Sequence, residues 1–512
     1  MAALPAHPDL DQLRRQAKDL LRAAKSGDAA AAAQISAVSD QPTLSAAQLV
    51  LARSYGFSSW PKLKAEVAAR TASLDQLAAE FCVASIRDWR GRAARMLAQT
   101  PELARHSFAT ALVLGGVARV RAEIERDPAA VTRPDPATGW TPLHIVCASR
   151  WHGFDPGRAP GLVATARLLL DAGADPNRAG PGGRSALGCA TAAASGGVGN
   201  AAVIQLLLER GAQAGDDDLY LAVFSSDDHR CLRLLLRDPA AVAAARKALS
   251  APVDTKDAEA VRLMLDAGVD PRRYADGDGR PGSAVYAAVQ TGCPAELIGL
   301  LISHGADPGL PGPDGHTPLW LATIRGRTDL IELLGGDGTA GGVTGTARLA
   351  GACMAGDRAT AIGMTAADPG LISRLEQGEL ASLVHAAETG NGPAVSLMLD
   401  LGFPIGVRRE DGATALHAAA YTGSTEVVRL LLDRGADPEA LDGQWESPAL
   451  EWALVGSGER PKTSPHSDWV ATVRVLIEAG ASTQDISLAP DEPKPPSAEV
   501  AELLRSYGVG TS

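Results

Sequence analysis

Residues 410–440 read EDGATALHAAAYTGSTEVVRLLLDRGADPEA. Asp411-Gly412 is a tight-turn pair, because Gly tolerates positive φ and Asp bonds its own backbone. Thr414 is placed to cap a helix, its hydroxyl accepting an N–H of the first turn. His417 stands three residues on, where a capping box carries Glu or Gln, and an imidazole reaches back in the same way. The short helix ALHAAAYT follows and breaks at Gly423. A second helix starts near Ser424, with Val427, Val428, Leu430, Leu431 and Leu432 giving a wide apolar face. Gly435 ends it, as a left-handed C′ residue does. The unit is turn, helix, turn, helix, with an apolar face it cannot bury alone.

Other segments repeat the unit. Thr141-Pro142-Leu143-His144 and Thr317-Pro318-Leu319 restart the first helix, with Pro at N1 where its missing N–H costs nothing. The close recurs as LLLDAGADP (168–176), LLLERGA (206–212), LMLDAGVDP (263–271), LLISHGADP (300–308), LLLDRGADP (430–438) and VLIEAGAS (475–482). On these residues the chain resembles the ankyrin repeat family, whose signature is a β-turn, T-P-L-H-x-A-A, a second helix and a closing G-A-D. The resemblance implies an all-α repeat solenoid of helix-turn-helix plus β-turn units, about a dozen in number.

Composition agrees with a stacked array. A single core for 512 residues would be unusually large, and a repeat array grows in one dimension instead. Aromatic residues are only 4% while alanine and leucine dominate, which suits short helices packed closely. A net charge of −12 gives nucleic acid no electrostatic purchase. No run of about 20 apolar residues suggests a membrane span, and the N-terminus lacks the basic-then-apolar order of a signal peptide. Cysteines 82, 147, 189, 231, 293 and 353 are scattered singly, as expected of reduced, buried thiols in a cytoplasmic protein.

Along the chain, residues 1–70 stand apart as an N-terminal helical module. LDQLRRQAKDLLRAAKSGD is amphipathic, and two more helices are expected around Gly56-Phe57-Ser58-Ser59-Trp60-Pro61. The arrangement looks like a module found ahead of ankyrin arrays in bacterial proteins. It reads as a cap on the first repeat or as a docking module with Phe57 and Trp60 as exposed anchors. Residues 75–135 hold degenerate ankyrin-like repeats. Ankyrin repeats follow at 136–334, with an insertion holding Trp151, His152 and Phe154. A glycine-rich connection at 335–346 suggests a kink, since Gly loses most entropy on ordering. Further repeats run through 347–483, with a second insertion around Pro461 to Ser467. A linker and C-terminal capping helix close the chain at 484–512.

No local motif carries chemistry. The glycine-rich connection lacks the Lys-Ser/Thr of a P-loop, and neither GxSxG nor HExxH occurs. His144 and Cys147 share a helix, but they fill the capping and small-residue slots of the repeat. His229 with Cys231, beside Asp227 and Asp228, lacks the further ligands of a zinc site. Asp276-Gly277-Asp278-Gly279 reads as a plain turn in place of a calcium loop. No catalytic, cofactor or metal residue is expected. Trp89, Trp320 and Trp452 sit within helices and read as packing.

The resemblance implies a non-catalytic scaffold, monomeric, that binds an unidentified partner protein through its concave surface. The positions free to vary in the family fall here on Trp140, Arg184, His316, Arg409, Glu410, Tyr421 and Trp445, with Ala413, Thr422 and Gln444 beside them. Trp, Tyr and Arg dominate interface energetics. A regulatory subunit or inhibitor acting through the N-terminal module is one alternative. An enzyme with a site in the insertions at 149–163 and 456–468, tested at His152, Asp155, His466 and Asp468, is another. His417→Ala is expected to lower the unfolding midpoint without selective loss of a partner, and Tyr421→Ala to do the reverse. Paired denaturation and binding curves on the two variants check this.

Overall fold

The turn at Asp411-Gly412 forms as its residues dictate. Gly412 has φ +81°, and its N–H donates to the Arg409 carbonyl at 2.9 Å. The flanking Arg408 and Thr414 form an isolated antiparallel bridge. The next turn lies directly on this one: a Cβ at Gly412 would stand 2.2 Å from the Gly443 nitrogen, so only glycine fits. The helices Ala415–Tyr421 and Thr425–Asp433 follow, and Gly435 ends the second with φ +88°.

The computed structural model describes all residues but 1–3, 6–7, 40, 88–90, 195–199, 226–228, 336–342, 460–466, 485, 489–493 and 510–512. Among the described residues it is helical, with two isolated bridges and no strand. The chain divides into two units, 1–241 and 242–512. The glycine-rich connection lies within the second, and most of it falls outside the described residues, as does Trp89.

In the first unit, Leu10–Lys25, Leu44–Ser54 and Trp60–Thr71 are the three expected helices of the module. A further helix, Ala29–Ser36, starts at Asp28, whose carboxylate accepts the N–H groups of Ala30 and Ala31. Leu13, Ala52, Leu63 and Val67 form one apolar cluster, and Ala17, Ile35, Ala46 and Ala47 a second. Phe57 and Trp60 are half-buried on the first cluster, so they are packed side chains more than exposed anchors.

Repeat helices follow at Phe108–Leu114 with Val117–Arg126, Pro142–Ala148 with Ala159–Asp171, and Ala186–Ala194 with Ala201–Glu209. The insertion after Ala148 is anchored: Trp151 is 4% exposed, lies 5.9 Å from Phe81, and donates its indole N–H to Ser85 Oγ at 2.9 Å. Arg150 donates to the Ile86 carbonyl at 2.9 Å. The insertion therefore ties the repeat to the helix Leu74–Arg87. His152 is buried beside the Ser149 carbonyl, and Asp155 caps the 3-10 turn after it.

In the second unit the first helices Ala284–Thr291, Pro318–Ile324, Gly345–Met354, Ser382–Glu388, Ala415–Tyr421 and Ala449–Glu459 pack in succession, each on the next, as one layer. A second layer contains Ala295–Ser303, Gly392–Leu401, Thr425–Asp433 and Trp469–Glu478. Leu383, Met398, Leu416, Val428, Leu431, Leu450, Val473 and Leu476 are fully or nearly fully buried in a shared core. The last helix, Ala498–Ser506, adds Val500 and Leu504 to that core and leaves Glu502 and Arg505 in solvent. All six cysteines are buried, and none forms a disulfide. Burial pushes the thiols of Cys82, Cys189 and Cys353 up to about 12, which leaves them protonated and inert.

The buried histidines join one repeat to the next. His417 Nδ1 accepts the Thr414 N–H at 3.2 Å and faces the Thr414 hydroxyl at 2.8 Å, while Nε2 donates to the Ser447 carbonyl at 3.1 Å. His144 sits alike, 2.6 Å from Thr141 Oγ1 and 3.0 Å from the Arg178 carbonyl. Burial lowers both imidazoles; Asp442 favours and Arg408 opposes the charge on His417, and Arg178 opposes that on His144. A depressed histidine contributes stability above its ordinary value of 6.5, lost as pH falls through the folded value. The unfolding midpoint is therefore expected to drop between pH 7.5 and 5, and the double change His144→Leu with His417→Leu to flatten that drop. Thermal unfolding at a series of pH values checks both.

Candidate functional site

The exposed edges of the first helices in the second unit carry its polar and aromatic side chains. Tyr286 donates its hydroxyl to Asp314 at 2.5 Å. His316 stacks flat on Trp320, ring centres 3.6 Å apart, with Nε2 3.4 Å from Glu376. Arg325 donates to the carbonyls of Val289 and Gln290. Glu388 lies 3.6 Å from His385 and 3.5 Å from Arg409; the His385 contact, then Arg409 and Arg325, hold its carboxyl at about 2. A cavity of about 400 Å³ opens among Tyr286, Trp320, Arg325, His385, Glu388 and Glu410.

Trp452 is the hub of a second cluster. The rings of Trp445, His417 and Tyr421 meet it edge-on, at 5.5, 5.6 and 5.8 Å, and the Arg409 guanidinium lies 5.7 Å from its centre. Its indole N–H donates to Asp442 at 3.0 Å. Asp442 also accepts the amides of Gln444 and Trp445 at 2.7 and 2.6 Å, which fixes the turn that presents Trp445. Burial opposes the charge on Asp442, and these donors outweigh it, so its carboxyl is lowered. A cavity of about 470 Å³ lies among Tyr421, Trp445, Glu451, Trp452, Glu459 and Lys494. Arg409 lines both cavities, and the surface that carries the two is called the groove.

Of the residues expected to contact a partner, Arg409, Glu410, Tyr421 and Trp445 line this groove, and His316 covers Trp320 in its wall. Trp445 is 58% exposed. Tyr421 is half-buried, with its hydroxyl 3.2 Å from Glu459, so its removal also costs packing. Trp140 is half-buried and Arg184 exposed in the first unit. Ala413 and Thr422 are buried, the hydroxyl of Thr422 donating to carbonyls of its own helix, and neither offers a contact surface. Trp452 packs as expected, being 8% exposed, and it also stands in the groove wall. Laying Ala449-Leu450-Glu451-Trp452-Ala453 on Ala415-Leu416-His417-Ala418-Ala419 shows the signal, for Trp452 takes the x slot of the motif and Glu451 the histidine slot.

The insertion residues serve local structure: Asp468 caps Trp469–Glu478 by accepting the Ala471 N–H, while His466 lies outside the described residues. Asp276 spends its carboxylate on the amides of Asp278 and Arg280, a plain turn as expected. Among the described residues, no three His, Cys, Asp or Glu side chains are grouped to hold a metal ion, and no helix is long and apolar enough to cross a membrane.

Comparison with known proteins gives two family matches: ankyrin repeats in three copies over 349–442, and a single ankyrin repeat over 138–180. Among curated proteins, the ankyrin repeat and SAM domain-containing protein 6 of Danio rerio is 26% identical over 245 residues, 48% of this chain and 29% of that one. Inversin of Danio rerio is 39% identical over 69 residues, 13% of this chain and 7% of its own. The human ankyrin repeat domain-containing protein 63 is 39% identical over 64 residues, 12% and 17% of the two chains. The chain spans less than a third of the length of each. A solved structure, the human ASB11 ankyrin repeat domain, matches at 19% identity and TM-score 0.23, covering 46% of this chain and 98% of that one.

The two tryptophans of the groove differ in what their loss costs. Trp452→Ala is expected to destabilise the chain by about 3–5 kcal/mol, the range for a buried Trp. Trp445→Ala, at an exposed tip, is expected to stay within about 0.5 kcal/mol. Urea unfolding of the two variants beside the parent checks the contrast.

Proposed function

We propose that this chain, which belongs to the ankyrin-repeat family, is a non-catalytic scaffold that binds a partner protein in the groove of its second unit. One observation carries the reading: a pre-fixed wall of Arg409, Tyr421 and Trp452 ends in a tryptophan that is 58% exposed. Aromatic and arginine side chains held in place lose little entropy on binding, which is why they concentrate interface energy. Buried, protonated thiols suit a cytoplasmic setting. The N-terminal module supports a second reading, a separate docking or regulatory unit, because its helices surround two apolar clusters of their own.

The test uses the intact chain as bait, beside Trp445→Ala and a chain without residues 1–70. Loss of a hot-spot tryptophan costs at least about 2 kcal/mol, roughly thirtyfold in affinity. The expected result is a protein retained by the parent and by the truncated chain, and lost with Trp445→Ala. Equal retention by Trp445→Ala removes the groove reading; loss confined to the truncation favours the module.

A further inference from the structure

Aromatic rings and carboxylates wall the notch at the end of the groove together. Tyr421, Trp445 and Trp452 supply the rings, and Glu451 and Glu459 the carboxylates. Ring faces attract cations through their quadrupole, and a nearby carboxylate adds to that attraction. Two cations of the chain already line this notch, Arg409 against a ring and Lys494 against a carboxylate. The Arg409 guanidinium lies against Trp452, but Asp411 at 2.8 Å and Glu388 at 3.5 Å hold it in place. Lys494 is different: its ammonium is 2.8 Å from Glu459, and its side chain is 59% exposed. Exposed pairs of this kind contribute little to stability and exchange readily.

Lys494 is delivered by a strap fixed at its base. The Ser497 N–H donates to Ser457 Oγ at 3.0 Å, and the Pro495 carbonyl lies where any Cβ on residue 458 would stand, 2.1 Å away, so the helix carries Gly458 there. The strap thus rests on the helix Ala449–Glu459 and sets its lysine at the rim of the notch.

Resting on the groove reading above, we propose that the notch receives a lysine side chain of the partner, in the place that Lys494 now holds on Glu459. The exchange replaces one ammonium by another, so Glu459 stays paired throughout. The incoming aminobutyl stem gains the faces of Trp445 and Trp452, and Lys494 is released to solvent. Lys494 is then an internal competitor that sets how tightly the notch binds.

The experiment uses the full chain labelled with 5-fluorotryptophan, the Trp445 fluorine signal being assigned with Trp445→Phe. Blocked Ala-Lys-Ala and Ala-norleucine-Ala tripeptides are titrated by ¹⁹F NMR. The lysine peptide is expected to shift the Trp445 signal and the norleucine peptide to leave it unmoved. Lys494→Ala is expected to tighten the lysine peptide about fivefold and Glu459→Gln to weaken it by a similar factor. Equal binding of the two peptides, an affinity indifferent to Lys494→Ala, or no shift with that variant overturns the inference. If a partner is captured through Trp445 while norleucine matches lysine, this inference falls and the groove reading stands. Capture indifferent to Trp445→Ala removes the groove reading itself.

Discussion

Each repeat of this chain must be tied to the next, and a buried neutral imidazole does it most completely. His417 needs an acceptor on one ring nitrogen, for Thr414, and a donor on the other, for the Ser447 carbonyl. Protonation would turn the acceptor into a donor facing a donor, in a fully buried site. Burial keeps the ring neutral, so the same desolvation that costs solvation energy also selects the form that fits. The slot admits other solutions in the same unit. Tyr286 occupies it and reaches forward to Asp314, the turn of the following repeat. Trp320 occupies it and takes the ring of His316 on its face. His144, Tyr286 and His417 share the reach from one helix start to the neighbouring turn, while Trp320 stacks on the turn of its own repeat.

That constraint builds the groove. With helix starts tied in register, the positions next to the slot face the same side, and alanines at most of them keep the helices close. A single large residue at such a position has nowhere to retreat. Trp452 is that residue: its ring is half core and half wall, and Arg409, Tyr421 and Trp445 arrange themselves around it. Arg409 also reaches Asp411 and Glu388, so one guanidinium joins the aromatic end of the groove to its charged middle.

The repeat was legible because its signals are local: a turn pair, a cap, an apolar period and a glycine stop, all within residues 410–440 and repeated along the chain. The groove was half legible for the same reason. Arg409, Glu410, Tyr421 and Trp445 follow from their places beside the turn and the first helix. What escaped depends on distant partners or on weak patterns. Ala29–Ser36 has an alanine run with little amphipathic contrast, and its boundary rests on Asp28. Trp151 could not be assigned from its own segment, since Phe81 and Ser85 lie about 70 residues upstream and only the fold brings them together. Thr422 and Ala413 stand beside surface positions in the sequence, yet both are buried.

The second insertion shows how an irregularity in a repeat becomes a site. In the most regular unit the first helix stops at Tyr421 after 7 residues, because Gly423 follows. In the next unit the corresponding helix runs 11 residues, from Ala449 to Glu459, before the insertion begins. The extra turn carries Glu459 out to the Tyr421 hydroxyl and offers Ser457 and Gly458 as the seat of the Lys494 strap. Without it, Trp445 and Trp452 would form an open aromatic ledge; with it, they face a carboxylate across a cavity. Extending the helix by one turn therefore changes the chemistry of the surface, by setting a carboxylate beside rings that would otherwise stand alone.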